Sequence, residues 1–338
     1  MRTTNDIILL SHGGGGTKTS ELLKEVILPA LENPVLARLD DAACLDLPSA
    51  ELAFTTDSYV VKPLFFPGGD IGRLAVCGTV NDLAMQGAVP RYLSLGLILE
   101  EGLRVADLRR VVESVAHAAR EAGVHVATGD TKVVERSSGG GMLINTSGIG
   151  IRRPGVDTHV SNARPGDAVI VSGPIGDHGV AVMSAREGLN FQARLESDVA
   201  PLAGMIGRLL EAVPGVRCLR DPTRGGVAAA LNDVARSASV CVRIREAAIP
   251  MRDAVRGACS LLGFDPLEVA NEGKAIVICA AADESAALAA LRSDPLGREA
   301  VTIGRVSDGP PGRVLLETAL GGERVVDVPT GENLPRIC

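Results

Sequence analysis

The sequence contains no tryptophan, two tyrosines and five phenylalanines in 338 residues. Any large core must therefore be built from Ala, Val, Leu and Ile, as in many α/β enzymes. No Cys-x-x-Cys pair occurs, and the seven cysteines (44, 77, 218, 241, 259, 279 and 338) lack the Cys/His spacing of a zinc site. Most lie inside apolar stretches, such as Cys279 in AIVICAA, and read as small core residues. No apolar run approaches the length of a membrane span. The opening MRTTNDIILLSHGGGG is too short in apolar residues for a signal peptide, so the cytoplasm is the expected compartment. Positive charge is also in deficit, with a net charge of −7. That argues against nucleic acid or an anionic membrane as the main partner, because phosphate contacts need clustered cations. It suits carboxylates that hold a divalent metal.

What is present is a globular chain, 46% hydrophobic and 22% charged, of a length that fits two domains. Apolar periodicity predicts strands at 6–10, 52–56, 92–99, 124–128 and 142–149, and helices from about Ser20, over 71–86 and over 105–122 with Gly123 as the stop. The segment 152–165 is polar with two prolines and marks a boundary. Beyond it, strands near 168–172, 240–244, 275–279, 301–306, 314–317 and 324–328 alternate with helices near 177, 202–212, 222–237, 251–262 and 281–292. The expectation is an α+β protein with an N-terminal domain at 1–155, a C-terminal α/β domain at 156–328 and a tail at 329–338.

The glycine-rich loop SHGGGGTKT carries Gly13, Gly14, Gly15 and Gly16 between a strand and a helix, where bare amides can face an anion. Thr17 separates Gly16 from Lys18, so the P-loop order is not spelled. His12 in the same loop is a candidate for proton transfer. Four aspartates end apolar stretches: Asp41, Asp57, Asp82 and Asp130. Gathered at one sheet rim they would repel unless Mg²⁺ lay between them and bridged to nucleotide phosphates; taken singly, each also fits a turn or a helix cap. Lys132 shares a face with Asp130 if that strand continues, and can hold a phosphate or a transferring oxygen. Glu272, in a turn before a strand, is a candidate general base or an ordinary turn residue. Asp221 in RDPTRGGV reads as the N-cap of a helix with Pro222 in its first turn. Finally, Cys338 sits on a ten-residue aperiodic tail that spans roughly 30–35 Å when extended, enough to bring its thiol into a cleft.

The strings TTDSYV, PLFFPGGDIGRLAVCGTVNDLA, ATGDTKVVER and NTSGIG resemble the superfamily of aminoimidazole ribonucleotide synthetase, thiamine-monophosphate kinase and selenophosphate synthetase. Together with LILEEGL, SGPIGDHGVAVM, DPTRGGV, VANEGK and the closing PRIC, they are similar to one branch over nearly the whole chain, the HypE hydrogenase maturation factors or carbamoyl dehydratases. The resemblance implies a homodimer whose N-terminal domains share a β-barrel, with ATP bound near that interface. It also implies a cysteine at position 338 that accepts a carbamoyl group from the carbamoyltransferase HypF. ATP then phosphorylates the carboxamide oxygen, phosphate loss leaves a thiocyanate, and the cyanide passes to iron on a HypC–HypD complex for [NiFe] hydrogenase. On this resemblance Asp41, Asp57, Asp82 and Asp130 serve Mg²⁺ and nucleotide, and Lys132 and Glu272 serve the carboxamide. RLDDAACL is less regular than the GDDAAV-type string of the kinase members, which leaves the partner of Asp41 open. Two alternatives stand beside this. A selenophosphate synthetase carries Cys or selenocysteine where this loop has Ser11 and His12, and a non-catalytic carrier on Cys338 has no need of the acidic set.

Overall fold

The computed structural model describes residues 7–13, 17–36, 51–136, 141–188 and 195–328. Chain order begins with α1 (Thr17–Leu22), a π turn at Leu23–Ile27 and α2 (Leu28–Leu31). Then come β1 (Leu52–Tyr59), the short pair β2 (Phe65–Phe66) and β3 (Gly69–Asp70), α3 (Ile71–Met85), β4 (Ala88–Glu100), α4 (Val105–Ala122), β5 (His125–Val134) and β6 (Met142–Arg152). The second half has β7 (Ala168–Val171), α5 (Asp177–Glu187), α6 (Ala203–Ala212), β8 (Cys218–Arg220), α7 (Gly226–Ala238), β9 (Cys241–Arg245) and α8 (Asp253–Leu262). It closes with β10 (Ile276–Cys279), α9 (Glu284–Arg292), β11 (Val301–Ser307), β12 (Arg313–Glu317) and β13 (Glu323–Val325).

Two main sheets organise these elements. The first runs β1-β6-β4-β5, antiparallel except for the parallel β4–β5 pair. Its residues alternate as a half-covered sheet requires. Ala53 and Tyr59 of β1 are buried on the face that α3 covers, while Leu52, Phe54, Thr56 and Ser58 lie on the opposite, exposed face. Helix α4 packs beside α3 through Leu108, Val111, Val112, Val115 and Ala119, an i, i+3, i+4, i+7 stripe, and ends where Gly123 adopts φ 70°.

The second sheet runs β13-β12-β9-β11-β7-β10-β8. Every residue of β7 (AVIV) and β10 (IVIC) is buried, because helices cover both faces. Val169, Val171, Ile276 and Ile278 meet Val227, Leu231 and Val234 of α7 on one side. Ala168, Ile170, Val277 and Cys279 meet Leu209 of α6 and Leu291 of α9 on the other. The two halves are not separate cores. Val180 and Met183 of α5 and Val255 and Cys259 of α8 belong to the same apolar cluster as Leu74 of α3 and Val111 of α4.

Three of the expectations that change on contact with the structure have a readable cause. The strand expected at 6–10 is a single bridge, Ile7 to Arg104, followed by a 3₁₀ turn at Leu10–Gly13. The chain turns there because His12 Nδ1 accepts the Leu9 amide (2.9 Å). Strand β5 does not stop at Thr128 but continues to Val134, since β4 offers it a parallel partner as far as Glu100. Helix α7 begins at Gly226, four residues beyond Pro222, because Gly225 and Gly226 take φ values of 78° and 60° and break the turn expected there. Gly225, not Asp221, is therefore the N-cap residue.

Leu108 is fully buried where α4 joins the shared cluster. Leu108→Ala is expected to lower stability by about 2–5 kcal/mol in chemical denaturation, as large-to-small core changes do.

Candidate active site

At the join between the halves, Asp57 and Tyr59 of β1, Gly78 and Asp82 of α3, Asp221, Thr223 and Arg224 of the β8–α7 loop, and Glu272 enclose a cavity of about 90 Å³. Local structure explains each placement. Asp57 lies opposite Thr146 of β6, and Thr146 bonds the Ala75 carbonyl of α3 (3.1 Å), so Asp57 faces the helix and not solvent. Gly78 and Asp82 are four residues apart and share one face of α3. A Cβ at position 78 would overlap the Tyr59 hydroxyl, so glycine there makes room for the ring. Tyr59 Oη lies 3.4 Å from Thr79 Oγ1, which in turn is 2.5 Å from Thr146 Oγ1. Thr55 Oγ1 donates to Asp82 Oδ2 (2.8 Å).

The cavity gathers more negative charge than it neutralises. Glu272 is 3% exposed, and among the described residues no hydrogen bond or ion pair meets its carboxyl. Burial pushes Glu272 well above the usual carboxylate range, and Asp221, Asp198, Asp57 and Asp82 push it further. Burial likewise raises Asp221 to about 7, reinforced by Asp82 and opposed by Arg220. Asp82 is raised by burial and Asp57 against the hydrogen bond from Thr55. Tyr59 is raised by burial first and by Asp57 next. Carboxyls crowded in this way raise one another's proton affinity, and on the same electrostatic ground they favour an incoming cation.

Among the described residues no group of three His, Cys, Asp or Glu side chains lies close enough to hold a metal unaided. Mg²⁺, however, commonly takes only one or two carboxylates and completes its shell with water and phosphate oxygens. Asp57 and Asp82, hard oxygen donors at one cavity, fit that kind of site.

The residues singled out in the sequence divide into three groups. Asp57, Asp82 and Glu272 come together at the cavity. Asp130 and Lys132 share a face, both exposed, but it is the outer face of the first sheet. Asp130 lies in register with Gly96, Asn145 and Ser58, three strand spacings or roughly 14 Å from β1, so it does not join Asp57 within one chain. His12 is buried in its own turn and does not line the cavity. Asp41, Gly14, Gly15, Gly16 and Cys338 lie outside the described residues, and Gly13 ends the 3₁₀ turn. Cys77, Cys218, Cys241, Cys259 and Cys279 are buried, and burial pushes the Cys77 and Cys218 thiols up to about 12, which suits packing and not nucleophilic chemistry.

Comparison with known proteins follows the same outline. A family model described as AIR synthase related protein, N-terminal domain, matches residues 39–152, and its C-terminal counterpart matches 164–317. The chain is 52% identical over 334 residues to carbamoyl dehydratase HypE of Azotobacter vinelandii, covering 99% of this chain and 98% of that one. The chain belongs to the HypE family. A crystal structure of hydrogenase maturation protein HypE in complex with ATP superposes with a TM-score of 0.94 at 49% identity, covering 98% of this chain and 99% of that one. A HypE chain from a HypE–HypF complex does so with a TM-score of 0.80 at 46% identity, covering 93% and 100%.

Within this HypE fold, sequence reasoning missed Asp221, Tyr59, Thr223 and Arg224 as cavity residues. The signal for Asp221 was present in RDPTRGGV, where three charged residues precede a Gly-Gly pair. The positive φ of both glycines is what frees Asp221 from a capping role. Between about pH 4 and pH 7 the folded protein holds a proton on Asp221 that the unfolded chain has released, so this group makes stability fall as pH rises through that window. Asp221→Asn is expected to raise the melting temperature at pH 8 relative to pH 5; an unchanged difference between the two would contradict the assignment.

Proposed function

We propose that this chain is an ATP-dependent carbamoyl dehydratase that converts a thiocarbamate on Cys338 to a thiocyanate, the source of a cyanide ligand in hydrogenase maturation. The observation that carries the reading is the cavity itself, where Glu272, whose carboxyl meets no partner among the described residues, faces Asp57, Asp82 and Asp221. Its supports from outside are the whole-length likeness to chains named carbamoyl dehydratase and to one crystallised with ATP. At about 90 Å³ the cavity is on the scale of a small group such as a carbamoyl.

The reaction needs an oxygen turned into a leaving group. The carboxamide oxygen attacks the γ-phosphorus of ATP, ADP departs, and the S–C–O–phosphate loses phosphate as the C≡N bond completes. Two N–H protons leave during these steps, so a base with a raised pKa is required. Glu272, buried and surrounded by carboxyls, is that base in our reading. Asp57 and Asp82 hold the cation, which when bound offsets phosphate charge. The 1–155 portion then supplies the nucleotide side, 156–328 supplies Glu272 and Asp221, and 329–338 delivers the cysteine.

Lys132 and Asp130 require a second copy. The same outer face of the first sheet exposes Ile98 (39%) next to Lys132 and, across the sheet on β1, Phe54 (70%) and Leu52 (49%), as a face built to pair with its own copy does. A HypF-type carbamoyltransferase is the donor in this reading, in keeping with the HypE–HypF complex known for a relative. A HypC–HypD-type complex is the acceptor.

With a carbamoyl donor, a HypF-type partner and ATP, mass spectrometry should find a carbamoyl adduct on Cys338 that loses one water only when ATP is present. Asp82→Asn should block that loss and spare the adduct; an adduct that never dehydrates in the wild type would make the chain a carrier. Phe54→Glu should shift the protein from dimer to monomer in light scattering, and a mass unchanged from wild type would remove the proposed face.

A further inference from the structure

Behind the cavity, the turn that carries Glu272 is held from three directions. Its amide donates to Asp198 Oδ1 (3.1 Å). Its carbonyl accepts from Asn81 Nδ2 (3.3 Å) and from the Ala200 amide (3.4 Å). Asp198 Oδ2 lies 3.0 Å from Lys274 Nζ, and both side chains are almost wholly buried. Between them sits Gly273, where any Cβ would overlap the Asp198 carbonyl. Only glycine lets the two segments approach so closely.

Asn81 spends every polar atom on this junction. Its Nδ2 also donates to the Ala200 carbonyl (3.1 Å), and its Oδ1 accepts the Leu202 amide (2.7 Å). It is the residue before Asp82 on α3, so it ties the helix turn of one cavity carboxyl to the turn of the other. On the far side, Asn271 Nδ2 donates to the carbonyls of Pro222 (3.0 Å) and Val269 (3.0 Å), while its Oδ1 accepts the Gly176 amide (2.7 Å). Pro222 follows Asp221, so the same turn is registered against the third carboxyl.

We infer that Asn81 and the Asp198–Lys274 ion pair are positioning residues of the dehydration, fixing the Glu272 carboxyl in register with Asp82 across the join of the two sheets. This rests on the reading of Glu272 as the base. Packing alone does not account for the ion pair, since a buried pair is often no more stable than aliphatic side chains of the same volume. What the charges add is direction. Asp198 accepts the Glu272 amide through Oδ1 while the Lys274 charge holds Oδ2 at 3.0 Å, so the turn that carries Glu272 is tied to a buried, fixed pair.

The test compares Asp198→Asn, Asn81→Ala and wild type, each with Cys338 carbamoylated, in single-turnover dehydration after ATP is added. Asp198→Asn and Asn81→Ala should each slow the step roughly 10- to 100-fold, the penalty of misplacing a reacting group. For Asp198→Asn, ATP affinity should stay at the wild-type value, and hydrogen exchange at the Glu272 amide should quicken. Glu272→Asp already retracts the carboxyl, so adding Asp198→Asn to it should cost less than the full single-variant factor. A wild-type rate in Asp198→Asn, or a full multiplicative loss in the Glu272→Asp background, overturns the inference. If Glu272→Gln keeps its activity, the base reading fails by itself. Exchange at the Glu272 amide then decides whether the turn is held as described, and an unchanged rate in Asp198→Asn would overturn that too. Should Asp198→Asn not fold, the double variant Asp198→Asn/Lys274→Met removes both charges together and carries the same comparison.

Discussion

Helix α3 is buried nearly all round, and the rest of the molecule arranges itself about that fact. It lies on the inner face of the first sheet, beside α4, and against the second half of the chain. A helix so placed cannot leave its polar side chains to water, and each must find a partner inside. Thr79 finds Thr146 across the sheet, Asn81 finds the 200–202 and 272 backbone, and Asp82 finds Thr55. The same need that stitches α3 into place thus builds one wall of the cavity and fixes its distance from the other.

The second constraint is electrostatic. Asp57, Asp82, Asp221 and Glu272 surround a small volume with little cationic relief: Arg220 opposes the shifts of Asp82 and Asp221, and its Nη2 is turned to Asp233 Oδ2 (2.8 Å). Deeper in, the pattern reverses, and Asp198 is paired with Lys274. Burial raises Asp198, yet Lys274 and then His178 outweigh it and hold the carboxyl below its usual range. One carboxylate is therefore held charged as a structural support, while burial and the surrounding carboxyls raise the proton affinity of its neighbour Glu272. Environment alone separates their roles.

Much of the fold was legible in the chain. The stripe of α4 with Gly123 at its end, the wholly apolar runs of β7 and β10, and the extent of α3 all follow from periodicity. The failures have local causes. The turn at His12 replaced a strand because a side-chain nitrogen captured a backbone amide. Strand β5 outran its apolar pattern because β4 lay alongside to pair with polar residues. Both are tertiary or side-chain effects to which periodicity is blind.

The sequence by itself determined the family outline, the two halves and the acidic residue types from which the cavity draws. It could not say which of those residues meet. Asp57 and Asp130 look alike in the chain, each an aspartate in a strand, yet they lie on opposite faces and three strands apart because pleat and sheet order place them there. Glu272 and Asp82 are 190 positions apart and become neighbours through Asn81, whose bonds cross from one half to the other. Side-chain direction and long-range pairing are properties of the packed chain, and they decided the site.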